Sequence, residues 1–242
     1  MAHHPLRLTP VTPSDHRNRA VGSGTETVLG CPERVAVRLE PVPSVGVRSV
    51  LRWGIPTGPP DDGFLTEGER RRADAHRSAA AREAFVARRW FAREVVAEAT
   101  GCAPPEVHIA QRCPRCDGPH GRPTVSVPHG PRPFASWSSA GDVTVVAVGR
   151  QPVGVDVVAR PELLVWARLE AVLKATGHGL DVDPSLVELS ATGVQRWDGP
   201  GPRPRLRITD VTFVDGLIGA VARGRRRQVR AVAAGRRRTA RA

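Results

Sequence analysis

Apolar and polar positions alternate in a way that divides the chain into recognisable elements. Val35-Ala36-Val37-Arg38-Leu39 and Val45-Gly46-Val47-Arg48-Ser49-Val50-Leu51 predict two strands, set apart by Pro41 and Pro43. Thr66-Glu67-Gly68-Glu69 has the spacing of a capping box, which supplies acceptors to the orphan N–H groups of a helix start. A helical stretch follows from about Glu67 to Ala99, broken once. Its later part places Phe85, Ala92, Val96 and Ala99 near one face, with Arg88, Arg89 and Arg93 interleaved, and Gly101 stops it.

Residues 111–133 read as loop, rich in Pro, Gly, Cys and His. Val143–Val148 and Val153–Val158 are continuous apolar runs joined by Gly-Arg-Gln-Pro, the pattern of two adjacent buried strands. Pro161 opens a helix to about Ala175, and Arg205–Val214 with Leu217–Ala222 predicts a hairpin turning at Asp215-Gly216. The order is strands, long helix, loop, strands, helix, strands. That repeats one coarse α+β pattern twice without a sequence-level repeat, with a midpoint near residues 135–142. The expected organisation is a flexible leader over 1–33, an N-terminal half over 34–140, a C-terminal half over 141–224 and a disordered Arg-rich tail over 225–242.

Composition adds constraints. The 242 residues allow one ordinary domain or two small halves, and 40% apolar content is enough for a core. With no Tyr and few aromatics, that core must rest on Val, Leu, Ile and Ala. The net charge of +12 favours acidic partners: nucleic acid, phosphates, an anionic surface or an acidic protein. Arginine supplies nearly all of it; Lys174 is the one lysine. An ammonium is a compact point charge, not interchangeable with a guanidinium at a crowded phosphate. Four cysteines do not make a disulfide scaffold, and no apolar run is long enough to span a bilayer. The first residues lack the apolar stretch of a secretory signal, so the expected location is cytoplasmic, without membrane association.

Three pieces carry candidate chemistry. Asp156 stands inside the apolar strand Val153–Val158, where a carboxylate needs a partner or a metal, or else caps a strand end. Glu170 and Lys174 share a helical face, an arrangement equally compatible with an ordinary surface pair, and a glycine-rich turn follows at Gly177-His178-Gly179. Gly121-Arg122-Pro123 precedes Phe134-Ala135-Ser136-Trp137-Ser138-Ser139-Ala140-Gly141-Asp142.

Taken together and in this order, these pieces resemble the Sfp-type 4'-phosphopantetheinyl transferase superfamily. That family shows G-(K/R)-P, then S-H-S, then (V/I)-G-(V/I)-D-x-E, then W-x-x-K-E-A-x-x-K. Here they correspond to Gly121-Arg122-Pro123, Ser138-Ser139-Ala140, Val153–Val158 and Trp166–Lys174, and the resemblance covers about residues 65–222. It implies an α+β fold of two similar halves with pseudo-twofold symmetry and coenzyme A, the co-substrate, bound in the cleft between them. It also implies Mg²⁺ held by Asp156 and Glu170, Glu170 as base for the acceptor serine, and Lys174 on the phosphate under attack. Arg122 is implied near the nucleotide, Arg71 at the 3'-phosphate and Ser139 at the position of a phosphate-holding His. The implied reaction transfers 4'-phosphopantetheine to a serine of an apo acyl or peptidyl carrier protein, releasing 3',5'-ADP. Both halves on one chain imply a monomer.

Three positions depart from the pattern. Ser139 replaces the His, Val158 replaces the second strand acid, and Leu169 replaces the Lys before the helical Glu. A non-catalytic homologue that binds coenzyme A or a carrier protein is therefore an alternative. Cys113 and Cys116, with His120 and either Cys102 or His108, could supply zinc ligands, or the pair could be reduced thiols in a turn. The tail after Arg223 could contact nucleic-acid phosphates, but it has no aromatic residue for stacking on bases.

Overall fold

The computed structural model describes residues 36–37, 49–59, 61–113, 116, 118, 121–213 and 216–224. The expected leader over 1–33 and tail over 225–242 lie outside them, as do His120 and Asp215. The fold is mixed α+β, with three α-helices among the described residues and several small antiparallel sheets.

The strands are β1 (Ala36–Val37), β2 (Val50–Gly54), β3 (His108–Gln111), β4 (Pro123–Ser126), β5 (Phe134–Ala140), β6 (Val143–Gly149), β7 (Val153–Val158), β8 (Val187–Ser190), β9 (Gly193–Trp197), β10 (Leu206–Thr212) and β11 (Ile218–Gly224). The helices are α1 (Glu67–Asp74), α2 (Ala79–Thr100) and α3 (Leu164–Thr176). The first sheet runs β1-β2-β6-β5 and the second β10-β11-β7; β3-β4 and β8-β9 are separate hairpins.

One connectivity occurs twice. A strand, a long helix, a hairpin and two further strands make β2–α2–β3/β4–β5–β6 and then β7–α3–β8/β9–β10–β11. In each sheet the last strand pairs between the first and the fourth. The sheets divide the chain at the turn after Gly149 and not near residue 140. β6 pairs with β2 and β5, so it belongs to the first sheet although it lies beyond the expected boundary. Its apolar run cannot show which sheet it joins, because that choice rests on pairing with the distant β2.

The layers explain the uninterrupted apolar runs. One face of the first sheet (Val50, Val146, Val148) packs on Phe91, Val95 and Val96 of α2. The other (Leu51, Trp53, Val145, Ala147) meets Val153, Val155, Val157, Val211 and Val221 of the second sheet. The second sheet's far face, through Ile208, Ala220 and Ala222, packs on Ala171, Val172 and Ala175 of α3. Strands covered on both sides have no reason to alternate with polar residues. β7 carries one exception, Asp156, among residues that are otherwise apolar or glycine.

The capping box forms as expected: Thr66 Oγ1 accepts from Glu69 N at 3.3 Å, and Glu69 Oε2 accepts from Thr66 N at 3.0 Å. The same carboxylate serves the core. Arg93, fully buried, donates Nη1 and Nη2 to Glu69 at 3.1 and 2.6 Å. Arg89 Nε lies 3.6 Å away. Burial alone would raise the Glu69 carboxyl, but the hydrogen bond and charge of Arg93 outweigh it and hold it below its ordinary value of 4.5. The stability this pair contributes is therefore full above that value and is lost as falling pH protonates the folded carboxylate. Thermal unfolding followed by circular dichroism from pH 7 to 3 should show a falling midpoint in acid, and Glu69→Gln should flatten that fall while lowering stability at neutral pH by about 3 kcal/mol. An acid limb equally steep in the variant would remove Glu69 as its cause.

Candidate functional site

Asp156 sits on β7 facing α3, with its side chain 8% exposed. An isolated buried carboxylate would be costly, and here Oδ1 is doubly satisfied. Ser138 Oγ donates to it at 2.7 Å and Lys174 Nζ at 2.6 Å. Lys174 also donates to the Val155 carbonyl at 3.3 Å and lies 3.5 Å from Glu170 Oε2. Glu170 Oε1 accepts from Trp166 Nε1 at 3.1 Å. The strand acid and the helix acid thus converge on one ammonium, the only one in the chain.

Local structure brings α3 this close. α3 ends at Gly177, whose φ of 87° is the left-handed conformation that a Cβ disfavours. Beneath the helix, β7 presents Gly154. A Cβ there would stand 2.5 Å from Ala175 N and closer still to the Ala171 carbonyl oxygen, so the helix backbone rests directly on the strand. Glu170 and Lys174, each one residue before those two contacts, are thereby set against Asp156.

β5 and β7 are edges of different sheets, and serines bridge them. Ser136 Oγ accepts from Val155 N at 3.1 Å, occupying an edge donor of β7, while Ser138 reaches Asp156 two residues on. Neither serine stood out among the sequence candidates except as part of a motif. The available signal was their spacing, since residues two apart in a strand share a face.

A cleft of about 930 Å³ opens between the halves. Gln111, Arg122, Ser136 and Trp137 line it from the first, and Lys174 with Gly177–Asp181 from the second. Asp156 and Glu170 stand behind Lys174 and do not line it. Arg122 is half-buried, with its guanidinium 5.4 Å from the Phe134 ring centroid, and burial pushes its pKa below the usual arginine value. Cys113, buried, and Cys116, exposed, also line the cleft. Among the described residues no three His, Cys, Asp or Glu side chains gather as a metal site, and of the zinc candidates His120 lies outside those residues.

Two candidates stand elsewhere. Ser139 is exposed, and strand alternation turns it to the opposite face of β5 from Ser138; its hydroxyl shares a 2.8 Å hydrogen bond with Thr144. Arg71 is exposed on α1 and pairs with Glu67 at 3.0 Å. Its neighbour Arg72 turns inward instead, and together with Arg89 donates to Gln111 Oε1, while Gln111 Nε2 donates to the Gly121 carbonyl at 2.8 Å. Gln111 thus links the half-buried Arg72 and the buried Arg89 of the first half to the cleft wall.

Asp156 and Glu170 are hard oxygen donors brought within reach of one cation. That donor set fits Mg²⁺, which is held by one or two carboxylates together with substrate phosphates. No helix among the described residues is long and apolar enough to cross a membrane. No protein-family model matches the chain, and no curated protein matches it.

Proposed function

We propose that this protein transfers 4'-phosphopantetheine from coenzyme A to a serine of an apo acyl or peptidyl carrier protein, on a pair of halves related by a pseudo-twofold axis. The observation that carries the reading is the convergence of Asp156 and Glu170 on Lys174, which lines a cleft between halves that repeat one connectivity.

Glu170, one-fifth exposed and oriented by Trp166, takes the proton of the carrier serine. The serine oxygen then bonds to the phosphorus that bears the pantetheine arm. The bond from that phosphorus to the bridging oxygen of the diphosphate breaks, and 3',5'-ADP leaves with the electron pair. Lys174 turns its ammonium from Asp156 to the charge that gathers on the phosphate oxygens. Asp156 and Glu170 would hold Mg²⁺, which would supply further neutralisation of the diphosphate. Arg122, whose guanidinium meets no carboxylate among the described residues, is available to the nucleotide end of the co-substrate.

Intact mass spectrometry of an apo carrier protein mixed with this protein, coenzyme A and Mg²⁺ should show the gain of one phosphopantetheine, lost when the metal is chelated. No gain on fatty-acid, polyketide and peptidyl carriers alike would reject the reaction. A second reading, binding of coenzyme A or a carrier without turnover, is favoured by Ser139, whose hydroxyl is engaged with Thr144 where the resembled pattern has a His. It predicts carrier or coenzyme A binding in a protein that gives no mass gain, and efficient turnover would exclude it.

A further inference from the structure

Beyond Arg122 lies a second cavity of about 460 Å³, separate from the cleft. Arg122 and His178 line both spaces and so form the partition between them. The polar part of its wall is Arg122, Gln151, Thr176, His178 and Arg205, with no carboxylate among the lining residues. Most of the remainder is Trp197, Leu206 and four prolines, a rigid apolar wall with no N–H to offer from the proline positions.

Two groups in this partition lack the partners their burial calls for. Among the described residues Arg122 has no ion-pair or hydrogen-bond partner; its guanidinium lies over Phe134 and against the Gly177 backbone, where a Cβ would come within 2.5 Å of Nη1. His178 tilts against Trp197, with centroids 5.7 Å apart, and its Nδ1 is buried without a hydrogen-bond partner. A buried polar atom without a partner is costly, and native structures seldom leave one so. Arg205 lines the same cavity from an exposed position, and no carboxylate among the described residues lines that cavity with it.

We propose that this side cavity binds a small anion with an apolar body, an aryl or heterocyclic phosphate monoester, whose charged group is held by Arg122, Arg205 and His178. The cationic wall without a counter-ion selects the charge. The proline wall selects the body, because it can cover apolar surface but cannot solvate a bare ion, and the volume suits a small organic ligand. Since Arg122 is common to both spaces, an anion here competes with whatever draws that guanidinium into the cleft, and the two affinities are coupled reciprocally. The inference stands on the cavity itself and does not depend on the transfer reaction.

Isothermal titration of the full chain with phenyl phosphate should show saturable binding at one site. Arg205→Gln and His178→Phe should each weaken it by about tenfold. Arg207→Gln, on β10 and lining neither space, should leave it unchanged. Arg205 is exposed, so its variant keeps the test sound even if His178→Phe does not fold. Inorganic phosphate should bind several-fold more weakly than phenyl phosphate; equal affinity would overturn the apolar half of the proposal. Absence of binding at millimolar phenyl phosphate would overturn the whole. So would binding that falls in Lys174→Gln but not in Arg205→Gln, because the probe would then lie in the cleft.

Discussion

Asp156→Asn is expected to reduce the transfer of phosphopantetheine to an apo carrier by roughly 10³-fold, measured as the rate of mass gain under saturating coenzyme A. The side chains are nearly the same size, so packing is preserved and the loss isolates the charge. Two functions go with it. The neutral amide no longer offers Mg²⁺ an anionic oxygen. The Lys174 ammonium, 2.6 Å from Oδ1, loses its main counter-charge. Ser138 can still donate at 2.7 Å, so the position of β7 against β5 is retained. Ser138→Ala should cost far less, about tenfold, because it removes a positioning hydrogen bond and leaves the charge. A variant carrying Asn at this position with an undiminished rate would remove Asp156 from the reaction and leave it a structural partner of Lys174.

Gly154→Ala is expected to destabilise the fold by about 3 kcal/mol, read from urea unfolding. The direction is informative. Replacing a glycine by alanine in a strand ordinarily stabilises, since it restricts the unfolded chain. Here the added methyl would fall 2.5 Å from Ala175 N and even nearer to the Ala171 carbonyl, both of them backbone atoms of a helix that cannot rotate aside. α3 must lift, and as it lifts it carries Glu170 and Lys174 away from Asp156, so transfer should fall with stability. A stable, fully active Gly154→Ala protein would contradict the direct seating of α3 on β7. Gly219, on the neighbouring strand, faces a comparable limit, because its Cβ would meet the Asp156 carbonyl.

The helix pair was plain from spacing alone. Glu170 and Lys174 share a face in any helix, and the pattern that predicts the helix predicts their proximity. The capping box at Thr66 and Glu69 was equally local and forms as expected. Asp156 could be recognised as unusual within its apolar strand, but its partners could not be read from the strand itself. Ser138 was harder. It stands beside Ser139 in one motif, and the alternation of β5 turns one to Asp156 and the other to Thr144. The register that decides between them comes from pairing with β6. β4 fell within the stretch that reads as loop and β3 at its edge, since four-residue strands, one beginning at Pro123, carry little periodic signal.

By itself the sequence determined what depends on near neighbours: the capped first helix, the break before α2, the glycine stops at Gly101 and Gly177, the two apolar runs and the face shared by Glu170 and Lys174. Tertiary structure alone decided the assignment of β6 to the first sheet, the seating of α3 on Gly154, the serine bridges from β5 to β7 and the use of Glu69 by both α1 and Arg93. The division follows from range. Helix periodicity and capping act over three or four residues, whereas strand pairing and the close approach of two backbones join segments whose separation along the chain leaves no periodic trace.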